Sequence, residues 1–153
     1  MAISQAVCNT FKKELLEGKH DFANGGHTFK IALFTSSASL GAGTANYSTS
    51  NEITNVGGTS AYTAGGETLQ NQSVTGGTGA ATAFVDFTTN PQWTSASFTA
   101  NGAMIYNTTT DGGANTTNSV CILAFGSDFT ATNGTFTIEF PAPGENTAIL
   151  RLS

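Results

Sequence analysis

Apolar residues at Ile3, Val7, Phe11 and Leu15 recur every four positions, with Leu16 beside the last. That spacing lays one apolar stripe along a helix, predicted over about residues 3–17. Ser4 is a candidate N-cap, and Gly18 a stop just past the last turn. Lys12, Lys13, Glu14 and Glu17 cover the opposite face. The stripe of Val7, Phe11 and Leu15 is expected to pack on a sheet face made by Phe29, Ile31, Phe136 and Ile138.

After Gly18 the period falls to 2. Residues 28–35 put Phe29, Ile31 and Leu33 on one face and Lys30, Ala32 and Phe34 on the other. Further strands are predicted over 83–87, 97–106, 120–125, 135–140 and 148–152, with a weaker one over 67–74. Residues 120–125 are apolar on both faces, as in a central strand covered on both sides. Asn101-Gly102 interrupts its strand pattern and predicts a bulge, because glycine accepts positive φ at little cost. Asn24-Gly25 and Asn133-Gly134 read as tight turns. Gly76-Gly77-Thr78-Gly79 reads as a flexible hairpin tip: no Lys-Ser/Thr follows, as a phosphate-binding loop would need. Six or seven short strands spaced by turns predict a mainly β chain (α+β by count). Its architecture would be an antiparallel β-sandwich or partly closed barrel with one N-terminal helix packed on it.

The 153 residues are expected to form one domain, with the β part over about 28–153 and long polar loops over 36–66 and 107–119. A polar stretch as long as 36–66 is usually functional. Tyr47, Ile53 and Tyr62 can pin it to the body, and together with Asn51 they form a candidate interaction segment.

Composition narrows the function. Charged residues are 10% of the chain, against roughly 25% for an average soluble protein. Five basic and ten acidic residues give a net charge of −5, which argues against a nucleic-acid partner. No apolar run approaches a membrane span. The segment MAISQAVCNTFKK has no apolar stretch long enough for a secretory signal, which predicts synthesis in a reducing cytoplasm. Cys8 and Cys121 are accordingly expected to be reduced, buried thiols.

Little in the chain points to catalysis. His20 and His27 with Asp21 are the one set that suggests metal ligands or a small hydrolase. The flexible Asn24-Gly25-Gly26 beside them lacks the rigid support a metal site needs, so two solvated histidines are expected. Asp86 and Glu139 lie within strands without a second carboxylate nearby in the pattern, and a lone Trp93 is read as anchoring the edge of the core. No catalytic, cofactor-binding or metal-binding residue is predicted.

Several stretches resemble one family. FKIALFTSSASL, YTAGGETL, the SFTANGAMIYN strand and the FTATNGTFTIEFP to ILRL ending are similar to small structural proteins of tailed bacteriophages and prophages. The likeness covers nearly the whole chain, including the apolar strand that leads into Ala124-Phe125-Gly126-Ser127-Asp128. The chain departs from the pattern in polar inserts around 55–61 and 108–118. The resemblance implies a non-enzymatic virion component. It is expected to be a capsid decoration (cement) protein on the outer surface of the major capsid lattice. The alternative is a tail, neck or tail-fibre component contacting other tail proteins or the host surface. Lightly charged strand edges, with Lys30 their one lysine, predict self-association as a dimer or trimer beside contact with another virion protein, the major capsid protein.

Overall fold

The computed structural model describes residues 2–54 and 61–153. In chain order its elements are β1 (Ala6–Val7), α1 (Asn9–Leu16), β2 (Phe29–Phe34), β3 (Glu67–Thr68) and β4 (Gln70–Thr75). Then follow β5 (Ala83–Thr89), β6 (Gln92–Asn107), β7 (Asn118–Thr137) and β8 (Leu150–Leu152). The larger sheet has the order β1-β7-β6-β2-β3, the smaller β4-β5-β8, and every pairing is antiparallel. The two sheets pack together as a β-sandwich with one N-terminal helix. They share no strand, so the sandwich holds and the barrel does not.

The N-terminal stripe is divided between two kinds of structure. Only Asn9–Leu16 is helical. Ala6 and Val7 instead pair with Ile122 and Cys121 of β7, and Ile3 forms a parallel bridge with Leu40. Four-residue spacing does not separate a helix from an extended lead-in, and here backbone bonding to the sheet decides the matter. Ser4 is therefore no cap: its N–H donates to the Leu40 carbonyl at 2.8 Å. The cap position is Cys8, extended at φ −69 and ψ 141, without a side-chain bond. The orphan N–H of Asn9 is satisfied by the Ala42 carbonyl at 2.8 Å. At the other end Gly18 does stop the helix, at φ +72. Gly18 N–H bonds Leu15 O and Lys19 N–H bonds Glu14 O, the paired bonds of a Schellman motif.

Two predicted strands, 120–125 and 135–140, are parts of one. β7 runs unbroken for 20 residues and ends at Thr137, leaving Ile138 and Phe140 outside it. Asn133-Gly134 is not a turn. Asn133 takes φ 46 inside β7, where the register slips opposite Ala96 and Phe98, and its N–H donates to Ser97 Oγ at 2.9 Å. Because β6 continues alongside, the left-handed residue is absorbed as a bulge instead of reversing the chain. The bulge predicted at Asn101-Gly102 is present, as a register shift between Ala100 and Gly102. A Cβ at Gly102 would lie 2.7 Å from Leu123 O and 2.8 Å from Ile3 Cγ2, so this glycine admits the N-terminal lead-in against the sheet. The weak strand over 67–74 breaks at buried Leu69, whose N–H bonds Phe29 O, and its two parts join different sheets.

The core has two aromatic centres. Phe22 stacks on Phe29 at 4.2 Å, with Phe87 and Phe11 set edge-on. Phe11 thus reaches the sheet through Phe22. Phe136 lies elsewhere, with Trp93, Phe98 and Phe125, at the opposite end of the β6–β7 ladder. Trp93 is buried there. Cys8 and Cys121 are both free and buried. Burial pushes both thiols up, Cys121 to about 12, which suppresses thiolate formation.

Candidate functional site

The segment over 36–66 is strapped to the larger sheet around one buried carboxylate. Glu52 Oε2 accepts from Tyr47 OH at 2.7 Å, and Oε1 accepts from Tyr62 OH at 2.6 Å and Gly65 N–H at 2.7 Å. Tyr62 OH also accepts from Leu33 N–H, and Tyr106 OH donates to Gly65 O. The Tyr47 ring stacks on Tyr106 at 4.3 Å. Burial first, then the neighbouring carboxylate, raises all three phenols, Tyr106 to about 12. They therefore stay protonated and keep donating, and the cluster acts as a fastening.

This arrangement redistributes the four residues of the candidate interaction segment. Ile53 and Tyr62 are turned into the core, so neither side chain can meet a partner. Ile53 N–H bonds Leu33 O, continuing the edge of β2 through the loop. Tyr47 is half-buried in the Glu52 cluster. Asn51 alone of the four is exposed, at φ 60, with its carbonyl bonded to Thr35. The reason is the sheet itself: a loop along the β2 edge must satisfy buried backbone groups, and its aromatic residues supply both the seal and the donors. The polar insert around 55–61 falls, apart from its last residue, outside the described residues.

The histidines form the second network, and the expectation that both are solvated is corrected. His20 is buried, with Nε2 2.8 Å from Glu14 Oε2. Asn107 Nδ2 lies 3.0 Å from His20 Nδ1 and 2.9 Å from His27 Nδ1. Asn107 Oδ1 is taken up as acceptor for the N–H and hydroxyl of Thr109. The two amide protons of Asn107 must then go to the two imidazoles, so each Nδ1 is an acceptor and His20 carries its proton on Nε2, toward Glu14. Glu14 Oε1 accepts from Asn118 Nδ2 at 2.8 Å. Burial lowers the His20 pKa, against the opposing pull of Glu14. One amide occupies both Nδ1 atoms, and Asp21 Oδ1 caps its own turn at Ala23 N–H. Among the described residues no three metal-ligating side chains are gathered. The network joins α1, the loop behind it and the facing ends of β6 and β7.

The candidate for contact with another molecule is an apolar groove of about 710 Å³ between α1 and the smaller sheet. Phe11, Leu15 and Leu16 line one wall, Phe84 and Val85 of β5 and Leu150 and Leu152 of β8 another. Its volume suits a binding cleft. Leu16 is 92% exposed, Leu152 63% and Val74 54%, and all three line this groove. Lys12 and Arg151 stand at it with Asp21. Among the described residues neither cation has a carboxylate in ion-pair range, although Arg151 Nη1 donates to Glu145 O. Period-2 alternation in 83–87 and 148–152 identified these strands; that one of their faces lies open beside α1 is decided by the tertiary packing. No protein-family model, no curated protein and no solved structure matches this chain.

Proposed function

We propose that the chain is a structural protein of a bacteriophage virion, a decoration (cement) protein bound to the outer surface of the major capsid lattice. The reading rests on the near full-length sequence resemblance, two of whose motifs are strands of the larger sheet: FKIALF is β2, and SFTANGAMIYN is the last 11 of the 16 residues of β6. The geometry is compatible in kind. The titratable side chains gathered around Glu52 and around His20 are engaged in fastening loops and the helix. The large apolar side chains left exposed line hollows suited to protein contact.

Counting copies in purified virions by quantitative mass spectrometry tests the proposal. Hundreds of copies per particle are expected. A dozen or fewer, located at the tail by electron microscopy, would replace it with the tail or fibre reading.

A further inference from the structure

Four large apolar side chains are strongly exposed among the described residues: Leu16, Val74, Leu152 and Phe129. Three line the groove beside α1. The fourth belongs to a second, shallower hollow of about 500 Å³ along β7, where Phe125, Phe129, Phe136 and Ile138 meet. The two hollows share no residue. Their charges differ in sign. The groove carries Lys12 and Arg151 against one Asp21. The β7 hollow has Glu139 as its one ionisable lining residue.

Either hollow set against its own copy across a two-fold axis brings an excess of like charge together: two cations and one acid against the same set, or Glu139 against Glu139. Set against each other, the apolar surfaces meet and the charges are complementary. Among the described residues the outer side of β7 is paired near its start alone, by a bridge from Asn46 to Asn118 and by β1 at Cys121 and Ile122. From Ala124 onward, its outer edge has no strand partner among the described residues. We propose that this chain self-associates head to tail, the Phe129 face of one copy seated in the groove between α1 and the smaller sheet of the next. Such a heterologous contact builds rings where the rotation closes and open filaments where it does not. The proposal deepens the virion reading by naming a second copy as partner, and rests on that reading only for its place in a particle.

The test uses two variants of the full chain, each changed at an exposed position so that folding is spared. Leu16→Asp blocks the groove and leaves the β7 face. Phe129→Ser removes the face and leaves the groove. Circular dichroism and thermal unfolding verify that both remain folded, and Val74→Asp replaces Leu16→Asp if it does not. In sedimentation velocity, wild-type protein is expected to grow beyond a dimer as concentration rises. Each variant alone is expected to stay monomeric, with association weakened by about tenfold or more, as loss of a central anchor requires. A one-to-one mixture is expected to recover a single contact and stop at a heterodimer. A monomeric wild type, self-association unchanged in either variant, or a mixture that recovers nothing would each overturn the proposal. None of these results alters the copy number in virions, so the two readings fail separately.

Discussion

The two sheets of this sandwich are buried to different depths. In β2, between β6 and the two-residue edge strand β3 of the larger sheet, five of six residues are buried and Lys30 is the sixth. In β5, at the centre of the smaller sheet, Phe87 alone of seven is buried. Both have a strand on each side, although β3, beside β2, is two residues long. Their difference comes from what lies over their faces. β2 is covered by Phe22 and by the Tyr62–Glu52 strap, whereas β5 faces an open groove beyond Phe87. A strand's place in its sheet therefore satisfies its backbone but does not decide whether its side chains are covered. The larger sheet serves as the body of the molecule, and the smaller is free to offer a surface.

The comparison is broken most directly at the core. Phe29→Ala is expected to cost about 3–5 kcal/mol, because Phe29 is fully buried and its loss leaves a cavity under Phe22. Val85→Ala, at the wall of the groove, is expected to cost about 1 kcal/mol or less. Urea unfolding of both variants measures the gap, and equal losses would mean that the smaller sheet is as well packed as the larger.

The strap over the larger sheet comes next. Glu52→Gln replaces one acceptor oxygen by a donor facing Tyr47 or the Tyr62–Gly65 pair, and a loss of about 1–3 kcal/mol is expected. An unfolding midpoint unchanged from wild type would show the cluster to be incidental.

A smaller, pH-dependent effect belongs to His20. Its pKa in the folded chain lies below the ordinary 6.5, so the unfolded chain binds the proton more readily. Stability contributed by neutral His20 is therefore complete above 6.5. It falls as pH drops below 6.5 and levels off below the folded pKa. Protonation at Nδ1 would also set a donor against Asn107 Nδ2. In His20→Gln the slope of stability against pH in this range should be shallower, as measured by thermal unfolding at a series of pH values. An unaltered slope would remove His20 from the linkage.

The smallest change in stability is expected at Leu16→Asp. With the side chain 92% exposed, the free energy of unfolding should move by no more than about 0.5 kcal/mol. A larger loss at low protein concentration would mean that α1 rests on the groove wall more firmly than its exposure indicates.

Much of the architecture was legible in the chain. Alternation through 28–35, 83–87 and 97–106 located β2, β5 and β6, because successive side chains of a strand point to opposite faces. Gly18 announced a helix stop through a positive φ that side chains disfavour. The bulge at Asn101-Gly102 is present too, but Gly102 has no positive φ and serves instead by leaving room for Ile3 and the Leu123 carbonyl. The buried thiols followed from their apolar settings. Other features needed the fold. Ile3 and Val7 carry helical spacing yet bond to Leu40 and β7, since the edge of a sheet offers backbone partners that a helix's first turn lacks. Asn133-Gly134 has the composition of a turn but lies opposite a continuous strand, which converts it to a bulge. His20 and His27 look solvated until Asn107, some eighty residues away, places its amide between them. Ile53 and Tyr62 sit in a polar loop whose course along β2 turns them inward. Local periodicity and turn chemistry act over a few residues, and these the sequence determined. Which faces stay covered, which polar groups meet and which hollows remain open depend on pairings across the whole chain, and those the tertiary structure decided.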